Sequence, residues 1–349
     1  MNTPDNLTTL VVLFGGQSAE HDVSCVTASH VLRAADPAKY RTVAIGINKL
    51  GEWFHATIDL AADTLVATGA PASPSDILAL AAQESVVIVP LIHGPLGEDG
   101  TMQGLIEILG LPYVGSGVLA SAVAMDKGIA KSLFARAGIP QARYVVLRDD
   151  QVTDSLLTDI AQDLKYPIFV KPANMGSSVG VAKARNYTEL VQAVDIAASY
   201  DEWIVCEEAI SGREIEVAVL GNRQPQASVP GEITPGKEFY DYEDKYIAAT
   251  AMLSIPATLS AEQTAEIQSL AIRAYETLRC EGMARVDFFF EENGRGFLCN
   301  EINTIPGFTP ISMYPKMWEA SGLAYTHLID ELITFALERH SRRKRNTAR

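Results

Sequence analysis

The chain has 349 residues, 48% of them hydrophobic and 20% charged, with a formal net charge of −15. That length suggests roughly two to three domains with apolar material for several cores. The acidic balance argues against nonspecific nucleic-acid binding, which needs a positive surface, yet leaves room for local basic pockets that take phosphates. Residues 1–10 are polar and lack a basic segment leading into a long apolar run, so no signal peptide is expected. The longest apolar stretches have strand length, far short of a membrane span. Four scattered cysteines suit neither a disulfide framework nor a zinc site, and a cytoplasmic location is expected.

In chain order, Leu10-Val11-Val12-Leu13-Phe14 before Gly15-Gly16 reads as a buried parallel strand entering a tight turn. Ser24 to Ala35 reads as a helix stopped before Pro37. Strands follow at Thr42–Ile47 and Val86–Ile92, the second interrupted by Pro90. Met102–Leu109 is a helix with Gly110 just past its end. This alternation gives residues 1–121 a doubly wound α/β character. From Ala122, the spacing of Val123, Ile129, Leu133, Phe134 and Ala137 predicts one helix ending at Gly138. Strands at Arg143–Leu147, Ile168–Val170, Val179–Lys183 and Trp203–Glu207, with one helix near Thr188–Ser199, make residues 122–213 a small α+β unit. Residues 214–349 form a third. There Ile215, Val217 and Val219 alternate with Glu214, Glu216 and Ala218 in a half-buried strand. Ser260-Ala261-Glu262-Gln263 is a capping box opening a helix to about Leu278. Thr326–Leu337 is an amphipathic helix, and the basic tail from Ser341 to Arg345 reads as a solvated terminus.

Three stretches carry chemistry. Lys171 leads into Pro172-Ala173-Asn174-Met175-Gly176-Ser177-Ser178-Val179-Gly180, a small-residue loop whose N–H groups suit phosphate oxygens. By itself such a stretch is more often a plain turn, and it is not a P-loop, because the lysine precedes the glycines. Glu207, Glu208, Ala209 and Ile210, with Glu214 beyond, end a strand; the stretch suits an adenine edge and a ribose hydroxyl, or an exposed acidic turn. Ala284–Phe290 and Phe297–Asn303 read as a hairpin around Asn293-Gly294. Alternation puts Arg285, Asp287 and Phe289 on one face of the first strand, and Cys299, Glu301 and Asn303 on one face of the second. A three-residue loop, Asn293-Gly294-Arg295, would set Asp287 opposite Glu301. The result is either an oxygen-only cluster suited to Mg²⁺ or a solvated edge. His21 and Asp22 read as a helix-entry cap.

The order Lys127, Lys171 with its Gly/Ser loop, Glu207 to Ile210, Glu214, then Asp287 and Glu301-Ile302-Asn303 resembles the ATP-grasp superfamily. More narrowly it resembles the D-alanine–D-alanine ligases. The narrower likeness rests on Gly15-Gly16-Gln17-Ser18-Ala19-Glu20-His21-Asp22-Val23-Ser24, His93-Gly94-Pro95-Leu96-Gly97-Glu98-Asp99-Gly100, the stretch from Glu238 to Tyr246, and Asn303-Thr304-Ile305-Pro306-Gly307-Phe308-Thr309. It spans nearly the whole chain.

The resemblance implies an ATP-grasp fold and ATP-dependent ligation of two D-alanines through an acyl phosphate, for peptidoglycan precursors. It implies ATP contacts from Lys127, Lys171, Ser178, Glu207, Glu208, Ala209, Ile210, Glu214, Lys245, Phe289 and Asn300. Asp287, Glu301 and Asn303 would hold two Mg²⁺ ions, with Mn²⁺ as a substitute. Arg285 and the Gly307 N–H would meet the developing oxyanion. Glu20, Ser177 and Tyr246 would form a linked trio closing the site, with Glu20 on the first ammonium and His93 nearby. Ser312 and Met313 would take the second carboxylate. Tyr246 is the residue type tied in the family to D-alanine rather than D-lactate acceptors; D-Ala–D-Ser and D-Ala–D-Lac ligases are the alternatives. Asp22, Glu208 and Pro310 depart from the family's usual residues. A homodimer without nucleic-acid or membrane partners is implied as well. An idle nucleotide binder is disfavoured by intact Arg285, Asp287, Glu301 and Asn303, and a nicotinamide site by the missing G-x-G-x-x-G run.

Overall fold

The computed structural model describes residues 7–234, Gly236 and residues 252–343. Its first sheet is five-stranded, in the order β4-β3-β2-β1-β5: β1 is Thr8–Gly15, β2 Tyr40–Ile47, β3 Trp53–Ala56, β4 Gly69–Pro71 and β5 Val86–Pro90. β1 lies parallel between β2 and β5, and its residues from Leu10 to Phe14 are buried on both faces, which explains the unbroken apolar run. The helices of this region are α1 (His21–Ala34), α2 (Pro74–Ala81) and α3 (Thr101–Leu109). α3 ends at Gly110 with φ 71°, the left-handed stop that its sequence position predicts.

The next stretch differs from its sequence reading. The single helix expected from Ala122 is two, α4 (Val118–Met125) and α5 (Lys127–Arg136). Asp126 breaks them: its backbone is extended, and its carboxylate accepts the Ile129 N–H at 2.9 Å as the cap of α5. This cap puts Lys127 at the first position of α5. The second sheet, four-stranded in the order β6-β9-β7-β8, consists of β6 (Tyr144–Arg148), β7 (Ile168–Pro172), β8 (Ala182–Ala184) and β9 (Trp203–Glu208). Two helices cover it. One is α7 (Tyr187–Ala198); the other, α6 (Asp154–Leu164), is absent from the sequence reading although Thr153 caps it, accepting the Leu156 N–H. The strand expected at Val179–Lys183 shrinks to β8, because residues 177–180 belong to the Gly/Ser loop.

The third sheet has the order β13-β12-β10-β14-β15, with β11 beside β10. Its strands are β10 (Arg213–Gly221), β11 (Gln226–Ala227), β12 (Gly231–Thr234), β13 (Met252–Ser254), β14 (Gly282–Glu291) and β15 (Gly296–Asn303). One face packs on α8 (Ala261–Thr277), which opens with the predicted capping box, through Ile267, Ala271, Ala274 and Tyr275. Two further helices, α9 (Met313–Ala320) and α10 (Tyr325–Arg342), share a core with the first sheet: Tyr314, Trp318, Leu328 and Leu332 lie in one cluster with Leu10, Phe14 and Val89.

α10 runs five residues beyond its sequence reading, so the basic tail is not wholly a free terminus. Arg342 pairs with Glu281 at 2.6 Å, and Arg343 with Glu281 at 2.9 Å and Glu107 at 3.1 Å. The expected His21–Asp22 cap is also corrected. Glu20 occupies the cap position of α1 without a side-chain cap bond. The His21 ring instead reaches the Gly16 carbonyl at 2.9 Å, and Asp22 faces out to Lys49 at 3.1 Å.

Candidate active site

The hairpin β14–β15 organises the site. Arg285, Asp287 and Phe289 are the half-exposed positions of β14, alternating with buried Val286, Phe288 and Phe290. Asp287 pairs with Glu301 and Arg285 with Asn303. The route to that register differs from the expected one. Glu291 pairs with Gly296, leaving residues 292–295 as a four-residue loop, whose even length alone would misalign Asp287 and Glu301. A bulge between Asp287 and Phe288 corrects it, since Phe288 pairs with Cys299 and Asn300 has no partner in the ladder. As a result Asn300 and Glu301 both reach the functional face, as bulges next to sites commonly allow. Cys299, expected on that face, is buried in the opposite core against Phe288. Burial pushes its thiol up to about 12, so it is inert.

Around this hairpin lie two adjoining cavities. The first is lined by Glu20, His93, Arg285, Asn303, Gly307, Ser312 and Met313. Lys171, Ser178, Glu207, Glu208, Ala209, Ile210, Glu214, Asp287, Phe289 and Asn300 line the second. Lys127, Ser177, Glu216 and Glu301 line both, and so form the wall where they meet. Lys245 and Tyr246 lie outside the described residues.

In the second cavity the cations are held by specific partners. Lys171 Nζ donates to Glu207 at 3.1 Å and to Asn300 at 3.3 Å. Glu207 is buried at 2% exposure and also pairs with Lys131, itself 1% exposed, at 3.3 Å. Burial alone would raise the Glu207 carboxyl; the two lysines more than offset it and hold it below the usual carboxylate range. Its carboxylate is therefore engaged by the two lysines. Glu208 is committed as well, to Arg143 at 3.1 Å and Arg295 at 2.6 Å. Lys127 Nζ donates to the Met175 carbonyl at 2.6 Å and lies 3.8 Å from Glu301, tying the start of α5 to the Gly/Ser loop. In that loop Ser177 and Ser178 both have positive φ, 50° and 59°. This left-handed conformation is costly for a non-glycine residue and concentrates at functional sites.

The first cavity is equally connected. The Ser177 hydroxyl donates to Glu20, and a Cβ on Gly176 would stand 2.7 Å from the Glu20 carboxylate, so glycine is what lets the loop close onto Glu20. His93, 3% exposed, contacts Thr27 at 3.2 Å and Glu98 at 3.4 Å. Burial disfavours its charged form, but the Glu98 carboxylate, with Glu20, reverses this and leaves the imidazole above its ordinary value. Ser312 Oγ accepts the Thr309 N–H at 3.0 Å and pairs with the Thr309 hydroxyl at 2.8 Å.

Arg285 is clamped by two carboxylates. Asp287 accepts from Nε and Nη2, both at 2.7 Å, and Glu216 lies 3.1 Å from Nε. Burial opposes its charge, but Asp287 and Glu216 outweigh that and hold it fully protonated. Asp287 is turned onto Arg285, and no group of three or more His, Cys, Asp or Glu side chains converges as a metal cluster among the described residues. The donor chemistry nonetheless fits Mg²⁺: Asp287 faces Glu301, Asn303 stands one pleat on, and every donor is oxygen.

Sequence reasoning missed Glu216 and Lys131. The first was legible only as the outer side of a half-buried strand, yet it is 5% exposed and faces the site. The second had a signal in its i+4 spacing from Lys127 on α5, which sets both lysines on one helix face.

Comparison with known proteins agrees with this architecture. Residues 9–116 match the family model described as D-ala D-ala ligase N-terminus, and residues 133–334 match the D-ala D-ala ligase C-terminus model. The D-alanine–D-alanine ligase of Clostridium acetobutylicum is 47% identical over 341 residues, covering 95% of this chain and 98% of the relative. That of Geobacillus thermodenitrificans is 46% identical over 358 residues, covering 95% and 96%. Among solved structures, the D-alanine–D-alanine ligase from Coxiella burnetii superposes with a TM-score of 0.81 at 37% identity, covering 97% of this chain and 96% of that one. The VanG D-Ala:D-Ser ligase from Enterococcus faecalis gives 0.83 at 34%, covering 95% and 100%. The fold is that of the ATP-grasp ligases. With family models matching both halves and relatives 46–47% identical over nearly the whole chain, the chain belongs to the D-alanine–D-alanine ligase family.

Proposed function

We propose that this chain joins two D-alanines to D-alanyl-D-alanine at the expense of ATP. The observation that carries the reading is the wall shared by the two cavities, where Lys127, Ser177, Glu216 and Glu301 border both. A carboxylate bound in the first cavity and a γ-phosphate bound in the second would meet there. A carboxylate oxygen of the first D-alanine attacks the γ-phosphorus, the bond to the ADP oxygen breaks, and an acyl phosphate forms. The amine of the second D-alanine, having lost its extra proton, then attacks the carbonyl carbon. The tetrahedral intermediate collapses with loss of phosphate. Such a sequence is catalysed chiefly by positioning and by charge placed where it develops.

Lys127 and Lys171, with the Ser177–Ser178 backbone, would receive the phosphates, and Phe289 would floor the base beside Ala209 and Ile210. Glu214 would take the ribose. Asp287, Glu301 and Asn303 would hold Mg²⁺, two ions in our reading. When bound, Mg²⁺ offsets phosphate charge against an incoming anion. Arg285 and the Gly307 N–H would stabilise the oxyanion, the planar guanidinium being suited to a carboxyl-derived group. Glu20 would hold the first ammonium, and Ser312 with Met313 the second carboxylate. A homodimer in the cytoplasm completes the reading. No helix among the described residues is long and apolar enough to cross a membrane.

The test is phosphate release from ATP and Mg²⁺ with D-alanine, D-serine and D-lactate added singly and in pairs, products weighed by mass spectrometry. D-alanine alone should suffice and yield the dipeptide. Turnover only when D-serine or D-lactate accompanies D-alanine would overturn the acceptor assignment. No turnover in any combination would overturn the ligase reading.

A further inference from the structure

We propose that Glu216 is a positioning residue for Arg285, taking over its Nε edge when Asp287 turns to the divalent cation; this rests on the ligase reading above. The argument begins with a conflict of duties. Asp287 spends both oxygens on Arg285, at 2.7 Å each, and it is also the carboxylate that faces Glu301 across the ladder. A carboxylate that ligates a cation cannot keep a full bidentate grip on a guanidinium. If Asp287 were the only anchor, Arg285 would lose its orientation when the reaction needs it.

The fold supplies a second anchor. In β10, Glu216 pairs directly with Asp287, and Ala218 with Arg285. Opposed residues of an antiparallel ladder point to one face, so Glu216 sits on the site face, diagonal to Arg285 and within reach of a long side chain. Its carboxylate is 3.1 Å from Nε, with the Glu216 and Arg285 side chains 7% and 17% exposed. Arg285 lines only the first cavity, Asp287 only the second, and Glu216 both. Glu216 can therefore hold Nε from the dividing wall, leaving the Nη groups directed to the carboxyl that reacts. With the Nε–H given to Asp287 at 2.7 Å, Glu216 stands beside it as an ion pair at 3.1 Å, ready to accept that N–H when Asp287 turns away; a guanidinium this little exposed that is stripped of its partners reorganises or is lost.

The experiment compares wild type, Glu216→Gln, Arg285→Lys and the double variant. Three quantities are read for each: steady-state kinetics with D-alanine, the Mg²⁺ concentration at half-maximal rate, and calorimetric binding of a non-hydrolysable ATP analogue with Mg²⁺. Glu216→Gln should lower kcat by about 10- to 100-fold, less than the roughly 100- to 1,000-fold for losing an oxyanion donor outright, because Arg285 itself remains. Analogue affinity and the Mg²⁺ midpoint should stay within about threefold. Arg285→Lys should lower kcat by at least as much, and the double variant should be scarcely worse than Arg285→Lys, since Glu216 acts through Arg285. A kcat for Glu216→Gln within twofold of wild type would overturn the proposal. So would a Mg²⁺ midpoint raised tenfold or more, which would make Glu216 a cation ligand, and so would fully multiplicative losses in the double variant. Should Glu216→Gln fail to fold, Glu216→Asp is the alternative probe: the shorter side chain keeps the charge but withdraws it from Nε, and unchanged kcat with intact analogue binding would equally refute the role. Wild type inactive with D-alanine is a different result, since it refutes the ligase reading itself.

Discussion

Replacing Lys131 by methionine removes one of the two cations that hold Glu207, while keeping a side chain of similar length in the core. Lys131 is 1% exposed, 3.3 Å from Glu207, and lines neither cavity, so the change isolates the clamp from direct contact with substrates. Removing one member of a buried pair costs about 3–5 kcal/mol when the survivor is left uncompensated. Glu207 keeps Lys171 at 3.1 Å, which argues for the lower end, about 3 kcal/mol or roughly 150-fold in an opening equilibrium. β9 is hydrogen-bonded on both sides, to β6 and β7, so exchange of the Val205 and Cys206 amides reports opening of this sheet. In Lys131→Met those amides should exchange about 150-fold faster. Adding Glu207→Gln removes the stranded carboxylate, so the double variant should recover about 1–3 kcal/mol relative to the sum of the single changes. Exchange within threefold of wild type, or strict additivity, would refute the clamp.

Two further outcomes follow from the first cavity. Gly307→Ala would place a Cβ 2.8 Å from Ser312 Oγ and displace the hydroxyl that Thr309 holds; the KM for the acceptor D-alanine should rise about threefold to tenfold, the worth of one hydrogen bond, while ATP affinity stays unchanged in calorimetry. An equal loss for both substrates would locate the effect elsewhere. The raised folded-state value of His93 means that its pairing with Glu98 contributes stability fully present below about pH 6.5 and lost as pH rises through the folded value. Thermal unfolding midpoints of wild type should therefore fall from pH 6 to 9 more steeply than those of Glu98→Gln, and parallel curves would refute the pairing.

How much of this was legible in the sequence depends on how local the signal is. Elements marked by short-range chemistry read well: the apolar run of β1, the glycine stop of α3 and the Ser260 capping box of α8. What failed was set by distant partners. The hairpin's turn signal was correct, but its parity was not, because the bulge at Asn300 restores the register that the four-residue loop loses. There the Cys299 N–H donates at 2.7 Å to Pro140 O, a partner far earlier in the chain that no local pattern encodes. Periodicity carried straight through Asp126, since a helix that breaks and resumes keeps its apolar spacing on both sides. Glu216 was passed over because alternation says which residues share a side of a strand, not which side meets the site.

The cations around the two cavities are each engaged by groups of the chain itself. Arg285 is held by Asp287 and Glu216, Lys171 by Glu207 and Asn300, and Lys127 by the Met175 carbonyl with Glu301 nearby. In the ligase reading, substrate entry is then an exchange of partners and not the filling of a vacant positive pocket. That has two physical consequences. Buried charge is compensated within the chain, so the site costs less stability than its count of cations suggests. In that reading it would also discriminate: a triphosphate without a divalent cation would meet Asp287, Glu216 and Glu301 as like charges, whereas Asp287 would turn from Arg285 to hold a cation brought with it. The step that binds the nucleotide is thus the step that frees the guanidinium, and Glu216 decides whether the freed guanidinium stays aimed at the reacting carboxyl.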